Sequence, residues 1–120
     1  MPDSDPMSFL SRLFGGSPQP STPAAFVADR DPAAPVLDVR TPAEFADGHL
    51  AGAVNVDVNA PDFRQRVERL GLPADAPVYL YCRSGTRSGR AADALHQMGH
   101  AGAVNVGGFE ALRSAGAETE

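Results

Sequence analysis

The chain has 120 residues, the length of one ordinary domain, and its 42% hydrophobic and 21% charged residues are typical of a globular protein. The chain has ten arginines, no lysine and fifteen acidic residues. The resulting net charge of −5 argues against nucleic acid or an anionic membrane surface as a partner. The single cysteine, Cys82, excludes a disulfide framework, and no apolar run reaches the roughly 18 residues of a transmembrane segment. We expect a cytoplasmic protein with Cys82 as a free thiol.

Residues 15–23 separate a short N-terminal segment from the rest of the chain. They contain five glycines or prolines and no large apolar side chain, which is typical of a linker. We therefore predict a flexible tail and linker at 1–21, a domain at 22–114 and a solvated tail at 115–120. Apolar residues in the first segment have helical spacing, but a helix of one or two turns is marginal alone, so we favour a frayed tail at Met7, Phe9, Leu10, Leu13 and Phe14.

Strand-like and helix-like stretches alternate through the predicted domain, as they do in a parallel sheet covered by helices. Thr22 and Pro23 predict the start of a helix that runs through Ala28, and residues 36–39 predict a short strand. The segment 41–44, Thr-Pro-Ala-Glu, has the pattern of a capping box and predicts a second short helix. Residues 54–56 predict the next strand.

The second half of the domain repeats this alternation. Asn59 is a predicted cap for a helix with one apolar face, formed by Phe63, Val67 and Leu70. Residues 78–82 are β-rich without polar alternation, which indicates a strand buried on both faces. Ser88 is the predicted cap of the following helix, and a last strand at 103–106 precedes a short helix.

The most informative segment is 82–88, Cys-Arg-Ser-Gly-Thr-Arg-Ser, between the buried strand and its helix. Ligands of open parallel sheets bind beyond the carboxyl ends of the strands, and Cys82 lies at such an end. A tight loop containing Gly85 can turn backbone N–H groups inward beside the positive end of the helix dipole. Together with Arg83 and Arg87, these groups would lower the pKa of the thiol and attract an anion.

Each of these residues also has an ordinary structural explanation. A lone cysteine is most often a small buried apolar residue, but a glycine and two arginines around Cys82 favour a nucleophile. Arg87 can be a surface charge at a helix start, although its position against the dipole favours an anion ligand. For Arg83, a ligand role and a solvated charge are equally open.

The other polar residues are explained as structural. Asp38 is expected to hydrogen-bond neighbouring loops, Glu44 to cap its own helix, and His49 to bond a loop carbonyl. His96 and His100, near a helix end, are expected to be exposed. No cluster has metal-ligand spacing and no nucleotide-binding glycine loop is present, so we expect neither metal nor cofactor.

The loop at 82–88, together with segments 37–45 and 48–55, resembles the single-domain rhodanese (sulfurtransferase) family. The resemblance covers about residues 22–114. It implies a three-layer α/β fold, with a central parallel sheet of about five strands and helices on both faces. The strand that usually precedes the first helix falls at 18–20, where two prolines leave it short or absent.

The resemblance also implies the chemistry of the loop. Cys82 would form a persulfide held by backbone amides, so that the substrate-binding residues are Arg83, Ser84, Gly85, Thr86 and Arg87. The Cys82 thiolate would take a sulfane sulfur from thiosulfate or a persulfide and pass it to cyanide or a thiol, including a protein acceptor. One cysteine suffices for this cycle, whereas thiol–disulfide exchange within the chain needs two.

Two other functions remain open in the sequence. A persulfide carrier or partner-binding module would use the same cysteine and dock through the N-terminal apolar residues. A phosphatase or arsenate reductase is less consistent with the loop, because Arg87 follows Cys82 after four residues, where the similar phosphatases have five.

Overall fold

The computed structural model describes residues 20–120, so the apolar segment at 7–14 and residues 18–19 of the expected first strand lie outside the described residues. Helices and strands alternate in the described part of the chain. In chain order they are α1 (Pro23–Asp29), β1 (Val36–Asp38), α2 (Pro42–Ala46), β2 (Val54–Asn55), α3 (Phe63–Arg69), β3 (Val78–Cys82), α4 (Thr86–Gln97), β4 (Ala103–Gly108) and α5 (Phe109–Ser114).

The strands form one parallel sheet in the order β2-β1-β3-β4. All five residues of β3 are buried, as expected for a strand that has a neighbour on each side and helices on each face. In the register of the sheet, Leu37 of β1 lies between Val54 of β2 and Leu80 of β3. The predicted parallel α/β fold is confirmed, and four of the roughly five expected strands lie within residues 20–120.

Alternate residues of the strands supply two cores, one on each face of the sheet. The first core lies under α3 and α4 and includes Leu37, Leu80, Cys82, Phe63, Val67, Ala91 and Leu95. The second lies under α1 and α5 and includes Val36, Tyr79, Tyr81, Val106, Phe26 and Leu112. The result is the three-layer arrangement that the resemblance to the rhodanese family implies.

Two of the predicted helix caps are confirmed and two are wrong. The Thr22 side chain accepts from the N–H of Ala25, and Thr41 with Glu44 forms the complete capping box. The prediction for Asn59 is wrong: α3 begins at Phe63 after Asp62, and the Asn59 side chain accepts instead from Arg90. The prediction for Ser88 is also wrong, because α4 begins two residues earlier and Gly85 is at its N-cap.

Residues 118–120, predicted to be part of a solvated tail, pair with the loop before β2. The N–H of Ala51 donates to the carbonyl of Glu118 at 2.9 Å, and the N–H of Glu120 donates to the carbonyl of His49 at 2.8 Å. Their side chains are exposed. The domain limits near residues 21 and 114 stay a prediction, although the last residues are held to the domain by these bonds.

A buried polar network joins the ends of β1 and β3. Asp38 accepts from the Arg40 guanidinium, with 2.7 Å between Oδ2 and Nη2, and from the Tyr81 hydroxyl at 2.7 Å. The same hydroxyl accepts from the N–H of buried Leu50 at 2.9 Å, and Arg40 donates to the carbonyl of Gly48 at 2.7 Å. Asp38 therefore holds the loops beside the sheet, as its position in an apolar strand indicates.

None of the helices between residues 20 and 120 combines the length and apolar character that crossing a bilayer requires.

We expect Tyr81→Phe to lower the free energy of unfolding by about 1–3 kcal/mol, because the buried Leu50 N–H and the Asp38 carboxylate each lose a partner. Denaturant unfolding measures the loss. A Tyr81→Phe loss below about 0.5 kcal/mol would contradict the role assigned to this network.

Candidate active site

Cys82 is the last residue of β3, and the chain turns from it directly into α4. The turn depends on Gly85, whose φ of +99° lies in the left-handed region that glycine adopts without strain. A side chain there would also approach Gly107, with 3.5 Å between the added Cβ and the Gly107 Cα. The loop therefore turns tightly after β3 and packs closely against the end of β4.

The Cys82 sulfur receives hydrogen bonds from this loop. The Gly85 N–H lies 3.0 Å from Sγ, and the Ser88 hydroxyl oxygen lies 3.3 Å from it. Burial by itself raises the pKa of the thiol, but hydrogen bonds from the Ser88 hydroxyl and from the backbone N–H groups of Ser88, Ser84 and Gly85 outweigh it. The net direction is a lowered pKa, so the loop favours the thiolate.

Asn105, on β4, ties this loop together. Its Oδ1 accepts from the Ser88 hydroxyl at 2.7 Å and from the Gly107 N–H at 3.0 Å, and its Nδ2 donates to the Gly85 carbonyl at 2.9 Å. Sequence reasoning missed Asn105 and took Ser88 for a helix cap. The available signal was a lone amide in an otherwise apolar strand that ends beside the loop.

The Arg87 side chain, which the sequence predicts to bind an anion, contacts a carboxylate of the protein. Its guanidinium donates two parallel hydrogen bonds to Glu44 on α2, at 2.8 and 2.9 Å. The hydrogen bonds from Arg87 lower the pKa of Glu44 to about 2, against the effect of burial, and Glu44 in turn raises the pKa of Arg87. Arg87 thus already has an anionic partner within the protein, and Glu44 does more than cap its own helix.

The other predicted ligands, Arg83, Ser84 and Thr86, are exposed on the outer side of the loop. The Arg83 guanidinium has no hydrogen-bond or ion-pair partner among residues 20–120. It lines an open cleft of about 340 Å³ whose wall also includes Glu44, Asp47 and Glu110. Arg83 is therefore the loop cation that faces solvent without a carboxylate paired to it.

The histidines lie away from the sulfur. His49 Nδ1 lies 2.9 Å from the carbonyl of Phe45, which is a residue of α2 and not of a loop as expected, and its ring stacks on Phe45. His96 is exposed, as expected, but His100 is half-buried, so the expectation of exposure is wrong for it. Between residues 20 and 120, no group of three or more His, Cys, Asp or Glu side chains is placed to hold a metal ion.

Comparison with known proteins places the loop in a family context. An uncharacterized protein of Bacillus subtilis (strain 168), YqhL, is 42% identical over 78 residues, which are 64% of this chain and 59% of that protein. Thiosulfate sulfurtransferase PspE of Escherichia coli (strain K12) is 30% identical over 74 residues, which are 62% of this chain and 69% of PspE. The match thus spans less than two thirds of YqhL and slightly more than two thirds of PspE.

Solved structures agree with the architecture. The solution NMR structure of the rhodanese-like domain of Alr3790 from Anabaena sp. has a TM-score of 0.72 with this chain, at 23% identity over 87% of this chain and 80% of that one. That likeness shows the fold. The family model of the rhodanese-like domain matches residues 22–115, which include the sheet, the loop at Cys82 and all five helices described above. The chain belongs to the rhodanese-like domain family.

Proposed function

We propose that the protein is a sulfurtransferase in which the Cys82 thiolate carries a sulfane sulfur from an anionic donor to a thiol or cyanide acceptor. The observation that supports this most strongly is the environment of the sulfur, where N–H and O–H donors surround the only thiol of the chain. Sulfurtransferase relatives of the family support the same activity.

In the first half-reaction, the Cys82 thiolate attacks the outer sulfur of thiosulfate. A bond forms between Sγ and that sulfur, the sulfur–sulfur bond of the donor breaks, and its electron pair leaves with sulfite. The negative charge of the thiolate then lies on the outer sulfur of the Cys82 persulfide. In the second half-reaction, cyanide or a thiolate attacks this outer sulfur, and the electron pair of the broken bond returns to Sγ.

The persulfide needs donors, and the loop provides them from its backbone. We assign the sulfur-binding role to the backbone N–H groups of the residues that follow Cys82, namely Arg83, Ser84, Gly85, Thr86 and Arg87. Such a ring of N–H groups at the start of a helix stabilises an anion without a charged side chain. A cytoplasmic setting, which we also propose, would keep Cys82 reduced between cycles.

A phosphatase or arsenate reductase is less consistent with the site. Those reactions place a tetrahedral oxyanion on the guanidinium of the loop arginine. Here both outer nitrogens of the Arg87 guanidinium already bond Glu44, so they are not free to bind the oxygens of a phosphoryl or arsenyl group. The short loop and this ion pair favour a single sulfur atom as the bound group.

The pairing of Arg87 leaves Arg83 as the loop cation that is free to attract the donor. We therefore propose that Arg83, rather than Arg87, contributes the long-range attraction for anionic donors.

We expect incubation with thiosulfate under non-reducing conditions to raise the protein mass by one sulfur atom on the peptide that contains Cys82. Cyanide or dithiothreitol should remove it. Cys82→Ser should show neither change, because a hydroxyl is not ionised by this loop. Intact-protein and peptide mass spectrometry measure both events. A folded Cys82→Ser protein that still turned over thiosulfate would contradict the proposed nucleophile.

We expect Arg83→Gln to raise the KM for thiosulfate roughly three- to tenfold at low ionic strength, with kcat nearly unchanged, because the exposed charge acts on encounter with the anion. The effect should shrink as salt is added. Arg69→Gln, which removes an exposed arginine from α3, is the matched control and should leave the KM unchanged. Equal KM values for the Arg83→Gln and Arg69→Gln variants would contradict the role of Arg83.

A further inference from the structure

The Ser88 hydroxyl lies between two acceptors and has one proton to donate. Its oxygen is 3.3 Å from the Cys82 sulfur and 2.7 Å from Oδ1 of Asn105. Ser88 is fully buried, so water does not compete easily for this proton. The hydroxyl can therefore donate to the sulfur or to the amide, but not to both at once.

The orientation of Asn105 is determined by its other bonds. Its Nδ2 donates to the Gly85 carbonyl, which has no proton to offer, and its Oδ1 accepts from the Gly107 N–H. If the Asn105 amide were flipped, its Nδ2 donor would face the Gly107 N–H donor, and its Oδ1 acceptor would face the Gly85 carbonyl acceptor. The atom that faces Ser88 is consequently Oδ1, a fixed acceptor.

We propose that Ser88 is a catalytic residue whose hydroxyl donates a hydrogen bond to Sγ of Cys82 in the thiolate state. Once Cys82 carries the transferred sulfur as a persulfide, the hydroxyl donates to Oδ1 of Asn105 instead. Asn105 is the positioning residue of Ser88. The inference rests on the proposed function, since it describes how the same site passes between its two states. Sγ bears the negative charge only in the thiolate, because the outer sulfur bears it in the persulfide. The hydrogen bond to Sγ is correspondingly strong in the first state and weak in the second.

Because of this difference, Ser88 should assist discharge of the persulfide more than loading of the thiolate. When an acceptor attacks the outer sulfur, the electron pair returns to Sγ, and a donor that waits 3.3 Å away stabilises the departing thiolate. In the loading half-reaction, the same bond must weaken before the thiolate attacks. Removal of the hydroxyl should therefore slow discharge of the persulfide, while it leaves a fully ionised thiolate at least as nucleophilic in loading.

The first test measures the thiol and requires no sulfur transfer. We expect Ser88→Ala to raise the pKa of Cys82 by about one unit, which is a tenfold change in its ionisation constant, as followed by thiolate absorbance against pH. Ser88→Thr keeps the hydroxyl, so the pKa of Cys82 should stay close to that of the unmodified protein. Ser114→Ala, the same type of change on an exposed serine of α5, should leave the pKa of Cys82 unchanged. The charged groups around the sulfur, Arg87 with its partner Glu44 and Asp57 near them, are the same in all variants. An unchanged pKa in Ser88→Ala would overturn the proposal.

The second test separates the half-reactions in single-turnover experiments at a pH above the thiol pKa of every variant. For Ser88→Ala, we expect discharge of the preloaded persulfide to cyanide to be about tenfold slower and loading by thiosulfate not to be slowed. A purely structural role for Ser88 would slow both half-reactions to a similar extent, and that result would overturn the proposal.

If Ser88→Ala does not fold, the unmodified protein provides the test. The Ser88 side-chain resonances in NMR spectra should shift through the same pH midpoint as the Cys82 thiol, and no shift there would overturn the proposal. Failure of the proposed function would give a different result. The thiol pKa would still depend on Ser88, but the protein would take no sulfur from thiosulfate. That result would contradict sulfur transfer and not the hydrogen bond from Ser88 to Sγ.

Discussion

The site depends on hydrogen bonds to one sulfur atom at the buried end of the central strand. An anion in such a position is costly unless donors replace the water it has lost, and here the donors are loop N–H groups and the Ser88 hydroxyl. The loop adopts this path because Gly85 accepts a positive φ and because Gly108 has no side chain. A Cβ on Gly108 would overlap the Arg83 carbonyl oxygen, so β4 can approach the loop only with glycine there.

Side chains around the loop hold it in place without accepting hydrogen bonds from the N–H groups that face the sulfur. Glu44 fixes Arg87 on α4, and at the same time its Oε1 accepts from the Thr41 N–H at 3.0 Å, so one carboxylate joins the start of α2 to the start of α4. On the other face of the sheet, Asp38 joins Tyr81 and Arg40 beside the carboxyl end of β3. These two ion pairs leave the backbone N–H groups of the loop free of carboxylate acceptors, as the proposed sulfur binding requires.

The sequence predicted those features that depend on nearby residues or on periodicity. The limits of β3, the capping box at Thr41, the parallel sheet covered by helices and the position of Cys82 at the end of a strand all follow from local patterns. The contacts between Arg87 and Glu44, 43 residues apart, and between Ser88 and Asn105, 17 apart, depend on how elements pack, and the local pattern misassigned or missed them. Ser88 has the residue type of a helix cap, but the tertiary contact with sulfur and amide determines its role instead.

Titration of the Cys82 thiol in the unmodified protein tests most directly the proposal that the loop holds Cys82 as a thiolate ready to accept sulfur. Because Cys82 is the only cysteine, the thiolate absorbance change belongs to it alone. A lowered pKa means that the thiolate forms as pH rises through a midpoint below the free-thiol value of about 8.5. We predict such a midpoint, and the rate of sulfur loading from thiosulfate should rise with pH through the same value. A midpoint at or above about 8.5 would contradict the account.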